Sequence, residues 1–483
     1  MVASNSTSHS FWAECKDLFK LAAPIFVAQF CTQALALIDS IMAAQAGELQ
    51  LAAVSLGSAF WSTIILLCLG IPFALAPITA QLKGAGNSER IALTVWNALY
   101  PLSVVTIFSM AVVILFPEKL LLAVGSEPQL AALTQKYLWY VAPAFPALVL
   151  FNILKNTLEG LTITKPGMLV AFSITLLNIP LNYFFINGIQ FQQVWYLEPM
   201  GAAGCGAATT VVAWFGAIVL FIWSRHHQTT KTLKLLQQRE RFSLDTVKLL
   251  CRTGFPISFA YIIETFSCSA IGYAAASFGS RVVAAHQIAN IVCIMAFMLP
   301  IALSNAIAIK TGYALGQKSN LAVRRAIHSG LAVSLVLVLS LAVVIFSLRY
   351  QIIAAFTQVA ETAAIAAPLF ICILAYQLQD SFYGTGLGIL RGFRDNSTLM
   401  KINFVVLWLI VLPLGVWLGF YAPDWRNFTG ASSAEATFGY GIYGFWSALV
   451  FGYYLMSIGF WLRIKHLLKH TKQYILHFAL EHC

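Results

Sequence analysis

The chain has 483 residues, 59% of them hydrophobic and only 10% charged. A water-soluble domain carries about a quarter charged residues, so a soluble enzyme is excluded and a polytopic membrane protein is implied. The formal net charge of +11 is spread over the loops between apolar runs, so it reads as membrane topology, and no nucleic-acid partner is expected.

Apolar runs of about 20 residues predict an all-α integral membrane fold. Twelve transmembrane helices are expected, at 18–41, 51–80, 91–116, 131–154, 166–187, 201–223, 250–277, 282–311, 326–347, 362–390, 400–421 and 438–462. The first run follows a polar head and is long enough to span, so it is expected to remain as a span and not to be cleaved. All but Lys119, Lys136, Arg281, Arg349 and Arg426 of the 29 Lys and Arg residues fall on the side of the two termini. Both termini are therefore expected in the cytoplasm. The nine cysteines include no CxxC pair, so no disulfide framework, metal site or resident cofactor is expected.

In chain order, residues 1–14 form a short Ser-rich cytoplasmic tail. The first span carries Pro24 near its start and Asp39 near its end. Pro24 removes an intrahelical hydrogen bond, so the helix either bends there in use or keeps a static kink. The fourth span ends in NILKNTLEG, with Glu159 near its boundary. The fifth holds LNIPLN, which sets Asn178 and Asn182 one turn apart on one face. The sixth opens with MGAAGCGAATT, small residues that permit close helix approach. Residues 224–243 are a basic polar linker, which divides a first lobe at 15–223 from a second at 244–465; a basic amphipathic tail, 466–483, follows.

The two lobes repeat. Pro24 and Pro256, Gly84 and Gly316, Gly160 and Gly392, and Met168 and Met400 are each separated by 232 residues. Two homologous six-helix bundles in the same orientation follow, related by a pseudo-twofold axis along the membrane normal.

Three acids lie deep in apolar runs: Asp39, Glu264 and Asp380. An ionised carboxylate at the bilayer centre costs about 2.5–3.5 kcal/mol on insertion scales, so such residues are functional by default. At the repeat offset they correspond to Ile271, Thr32 and Leu148, so the first lobe has one deep acid and the second has two. Asp380 has Tyr376 one turn before it, and Gly384, Gly386 and Gly388 follow. A carboxylate, a phenol and uncovered backbone suit a small cation; a carboxylate satisfied by hydroxyls and merely locking helices is the other reading. Glu264 is open in the same way, between an ion ligand and a helix cap. His286 reads as a packing or hydrogen-bonded histidine. Asn427 to Thr429 form a glycosylation sequon, and no P-loop for ATP-driven pumping is present.

Taken together, LAAPIFVAQ with the downstream IDSIMA, LNIPLN with GAAGCGAATT, GFPI with its glutamate, VVAAHQIA, and YQLQDSFYGTGLGILRGFRD resemble the multidrug and toxic compound extrusion (MATE) family, in its bacterial NorM-like branch. The resemblance covers almost the whole chain. It implies two six-helix lobes around a V-shaped central cleft, and a monomer in the inner membrane of a bacterium. It also implies antiport by alternating access, with export of cationic organic compounds driven by inward sodium or proton flow. On the matching motifs, Glu264, Tyr376 and Asp380 correspond to a cation site, and Asp39, Asn178, Asn182 and Glu159 to a polar cluster of the first lobe. Glu159 stands where similar chains have aspartate. The second-lobe acids favour sodium, and no metal is expected beyond that transported ion. A flippase for lipid-linked saccharides, from the same wider superfamily, is the alternative. An integral-membrane enzyme is not expected, since no nucleophile–base pair is visible.

Overall fold

A computed structural model describes residues 11–191, 195–236, 240–422 and 440–470. In order these form α1 (Phe11–Gln45), α2 (Glu48–Gly84), α3 (Glu89–Leu115), α4 (Pro117–Ala123), α5 (Pro128–Val141), α6 (Ala144–Gly160) and α7 (Lys165–Asn187). A two-stranded antiparallel hairpin, β1 (Ile189–Phe191) and β2 (Trp195–Leu197), pairs Ile189 with Leu197. Then come α8 (Ala202–His226), α9 (Gln228–Thr232), α10 (Leu244–Ala276), α11 (Ser280–Gly316), α12 (Asn320–Ser347), α13 (Arg349–Phe356) and α14 (Ala360–Gly392). The described chain closes with α15 (Asn396–Tyr421) and α16 (Ile442–Lys469).

Every expected span is found. Eleven of these helices are long and apolar enough to cross a membrane, and α5 with α6, bent by 45° between them, supply a twelfth. The bend follows from YVAPAFPAL: Pro143 caps α6 and Pro146 lies in its first turn, and each lacks an amide to donate. At the repeat offset α14 has Ala375 and Leu378, and it runs unbroken. The helices outrun the apolar runs by several residues, because hydropathy marks the hydrocarbon and not the end of the hydrogen-bond ladder. The linker at 224–243 is partly helical, since α8 extends to His226 and α9 follows it. α16 continues to Lys469, into the expected tail. The rest of that tail and the sequon lie outside the described residues.

Contacts group the chain into two compact units, one of residues 24–262 and one of residues 1–23 with 263–483. Each unit thus takes in one end of a helix that a boundary in the linker assigns to the other lobe. The boundaries fall before Pro24 and between Ile262 and Ile263, inside continuous helices. In the first unit the core gathers around Ile71, Leu75, Tyr137 and Phe145. In the second it gathers around Ile271, Phe370, Ile373 and Phe445.

Glycine sets the closest approach in each unit. A Cβ on Gly160 would collide with the Ala76 carbonyl, and one on Gly388 with the Ser304 carbonyl. One on Gly392 would stand 2.7 Å from Thr311 Cβ. These contacts recur at the repeat offset, α6 on α2 and α14 on α11. They leave room for direct backbone contact between helices that have no hydrophobic drive to associate in lipid.

Candidate functional site

In the second unit, α10, α14 and α16 bring Glu264, Tyr376 and Tyr453 to one cavity, and Asp380 follows Tyr376 by one turn of α14. The Tyr453 hydroxyl of α16 donates to Glu264 Oε1 at 2.5 Å. The Tyr376 and Tyr453 rings meet edge to face, 4.7 Å between centroids, and Tyr383 meets Tyr453 at 5.3 Å. Asp380 is fully buried; its Oδ1 accepts from Gln379 Nε2 at 2.9 Å, and Ser457 Oγ donates to Gln379 Oε1 at 3.0 Å. Asp380 Oδ2 has no hydrogen-bond partner among the described residues.

A cavity of about 120 Å³ opens beside Glu264, with Tyr376, Tyr453, His286, Asn290 and Cys268 among its other walls; Asp380 does not line it. Trp446 Nε1 donates to His286 Nδ1 at 3.2 Å. That bond fixes the tautomer that carries its proton on Nε2, so His286 offers the cavity a donor. Glu264 and two phenols in the wall of a small, largely apolar space, with Asp380 buried one turn beyond Tyr376, can bind a cation that neither acid holds alone.

One expectation is corrected here. The glycines after Asp380 do not bare backbone for a ligand. α14 stays helical to Gly392, so its carbonyls remain in the ladder, and the glycines seat neighbouring helices: Gly384 faces the Pro300 carbonyl, Gly386 faces Phe460 and Gly388 faces Ser304. Tyr453, Gln379 and Ser457 are partners that sequence reasoning missed. Gln379 sits in the quoted motif, one residue before Asp380. Tyr453 gives no signal among 17 tyrosines.

In the first unit Asp39 is 7% exposed, and Asn178 and Asn182 are fully buried. Asn182 Nδ2 donates to Asp39 Oδ1 at 2.6 Å and to Asn178 Oδ1 at 2.8 Å. Thr209 Oγ1 of α8 lies 3.2 Å from Asp39 Oδ2 and 3.0 Å from the Cys205 carbonyl. The LNIPLN spacing therefore does set the two asparagines against each other, with Asn182 reaching Asp39. Thr209 was the missed member, although GAATT had marked the stretch for its small residues. α1 runs through Pro24 as one continuous helix.

Glu159 is not brought into this cluster. It lies next to the C-terminus of α6, 3.8 Å from Lys155 Nζ, and both side chains are almost fully buried. At that end Lys83 Nζ donates to the Leu161 carbonyl at 2.7 Å. Asp39 lies toward the C-terminus of α1, and these two helix ends are at opposite faces of a membrane in the order of spans. A longer side chain cannot bridge that separation. Because Glu159 and Lys155 neutralise each other, Glu159→Ala should lower the unfolding midpoint of the purified protein in detergent, by the several degrees of a loss of about 3–5 kcal/mol. Glu159→Ala with Lys155→Met should recover most of it. A double variant no more stable than the single one would show that the pair is not coupled.

Residues 24–184 and 256–417 each match a family model described as MatE, and the two matches begin 232 residues apart. The chain is 31% identical over 418 residues to the multidrug resistance protein NorM of Photobacterium profundum, covering 86% of this chain and 90% of that one. It is 32% identical, with the same coverage, to a NorM of Vibrio vulnificus. Among solved structures, the Vibrio cholerae MATE transporter VcmN in its bent form matches with a TM-score of 0.80 at 18% identity, over 96% of this chain and 99% of that one. A eukaryotic MATE transporter matches with a TM-score of 0.80 at 16% identity over the same shares. At such identities the likeness is one of fold.

Proposed function

The chain belongs to the MatE family of membrane transporters, and from that premise we propose that it is a cation-coupled antiporter that exports cationic organic compounds from a bacterial cell. The observation that carries this reading is the placing of the second unit's two acids: Glu264 in the wall of a cavity lined by aromatic rings, and fully buried Asp380 one turn beyond Tyr376 of the same wall. Such a site attracts a sodium ion or a proton, and a cation that relieves the repulsion of two carboxylates favours whichever arrangement of the helices brings them together. A drug that favours the other arrangement is then exported as the ion enters, by alternating access, with no fuel beyond the gradient. Sodium is the coupling ion this donor set favours, because phenol and amide oxygens can complete a sodium shell.

The protein works as a monomer in the inner membrane, with both termini in the cytoplasm; the distribution of Lys and Arg supports that orientation. Among the described residues, the walls of the cavity hold a carboxylate and an imidazole and no Lys or Arg. A flippase for lipid-linked saccharides, which must hold a pyrophosphate, gains no support from them.

Efflux of ethidium or norfloxacin from proteoliposomes decides the matter. An inward sodium gradient imposed alone should raise the initial efflux rate at least fivefold over the gradient-free rate. A response to a proton gradient alone would keep the antiporter and exclude sodium. No response to either gradient, from protein that binds the drug, would overturn the coupling.

A further inference from the structure

Around Asp380 the interior of the second unit is polar in a way that the first is not. Gln377, Ser381 and Thr385 stand at successive turns of α14 and are all fully buried. α11 contributes Ser304 and Thr311, also fully buried, and α12 contributes Ser334, whose carbonyl accepts from Ser381 Oγ. These three helices pack on one another. Neither end of the Gln377 amide has a hydrogen-bond partner among the described residues, and neither do the Thr385, Ser304 and Thr311 hydroxyls or Asp380 Oδ2.

Most buried hydroxyls among the described residues differ, Thr106 and Ser224 of the first unit excepted. Thr94, Thr134, Thr157, Thr253 and Ser267 all donate to the carbonyl four residues before them, the partner a helix always supplies. Thr385 and Thr311 make no such bond. At membrane depth an unsatisfied polar group is tolerated only where it meets water or an ion.

The repeat supplies a control. At the offset of 232, the stripe Gln377, Ser381, Thr385 corresponds to Phe145, Val149, Ile153. Ser304 corresponds to Pro72 and Ser334 to Leu102; only Thr311 has a hydroxyl counterpart, Thr79. The same helix packing is therefore built from apolar side chains in the unit whose α6 has Leu148 in place of Asp380. Scaffolding does not need the polar stripe.

We infer that the seam of Gln377, Ser381, Thr385, Ser304 and Thr311 is the route by which the coupling cation passes between Asp380 and the end of the unit at Gly392. The distance is about 18 Å, twelve residues of α14 at about 1.5 Å each. The side chains act in sequence along it. Asp380 Oδ2 holds the ion, and the Thr385 and Ser304 hydroxyls each replace a water of its shell as it leaves. Thr311, beside Gly392, is the last hydroxyl of the seam before the end of the unit. The inference rests on the reading of Asp380 as the cation site, and the test separates the two.

Silver ion is the probe, being a small cation that thiols capture. In a background freed of native cysteines, single variants Ser304→Cys, Thr385→Cys and Leu390→Cys are made, Leu390 being equally buried on another face of α14. Each must still bind ethidium in detergent. Thiol replaces hydroxyl with little change of volume, and if one seam variant fails to fold the other carries the measurement. Silver is applied to each membrane face separately, and captured thiol is read as loss of alkylation after denaturation. The face at the Gly392 end is the one where Gln317→Cys, in the exposed turn after α11, labels with an impermeant thiol reagent.

From that face, the seam thiols should be captured at least tenfold faster than Leu390→Cys. In the native-cysteine protein, Ser304→Ala with Thr385→Val should slow cation-driven efflux at least tenfold while leaving ethidium affinity within twofold. Seam thiols captured no faster than Leu390→Cys, or faster from the opposite face, overturn the route. So does unchanged efflux in the Ser304→Ala, Thr385→Val protein. Asp380→Asn is run beside them. If it keeps its cation response, the site reading fails, whereas silver capture still reports on the seam.

Discussion

Asp380→Asn should abolish cation-stimulated efflux from proteoliposomes, a loss of at least a hundredfold in the gradient-driven component, while drug binding in detergent stays within about threefold. The amide keeps the shape of the carboxyl. Its oxygen can still accept from Gln379, whose own oxygen is held by Ser457, so the fold survives and only the charge is lost. Without that charge Glu264 has no repulsion for a cation to relieve, and the differential affinity that links ion to drug disappears. Glu264→Gln should do the same and in addition leave the Tyr453 hydroxyl on a neutral partner, a weaker hydrogen bond. If one sodium ion enters for each monovalent drug that leaves, the membrane-potential contribution of about 2.3 kcal/mol per charge per 100 mV cancels. A tenfold sodium gradient then supports roughly tenfold drug accumulation. Full sodium-stimulated efflux in Asp380→Asn, measured with the proton gradient collapsed, would remove the second-unit site from the mechanism.

Asp39→Asn should reach the membrane at the parent level and lose most drug resistance, with the minimal inhibitory concentration of ethidium falling to within twofold of that of cells without the protein. The cluster is built to hold a charge: Asn182 Nδ2 and the Thr209 hydroxyl are both aimed at the carboxylate. An amide there can accept from Asn182 and donate to Thr209, so the packing closes and the missing charge is what the assay reads. Asp39→Leu should behave differently. It strands one N–H of Asn182 in a buried site at about 1–3 kcal/mol, while the Thr209 hydroxyl keeps the Cys205 carbonyl, and the protein should be found at reduced level. Normal resistance in Asp39→Asn, at matched expression, would leave the cluster as a structural tie between α1, α7 and α8.

Much of this molecule was legible along the chain. The twelve spans, the repeat at 232 residues and the uneven placement of the deep acids follow from residue types and spacing, because a lipid bilayer reads hydropathy locally, one segment at a time. Asn178 and Asn182 were placed together by one helical turn, which is also a local fact. What belonged to the tertiary structure alone is the partnering of buried groups. Tyr453 reaches Glu264 across 189 residues, and Gln379 turns to Asp380 because Ser457 of another helix holds its oxygen. Glu159, by contrast, found Lys155 on its own helix and not Asp39. The glycines beside Asp380 looked like exposed backbone in one dimension and proved to be contact points for neighbouring helices. Each outcome depends on how a helix is rotated and how deep it sits against its neighbours, and that is set by close packing over the whole unit. A pattern of period 3.6 fixes which side chains share a face; the facing helix decides what that face meets.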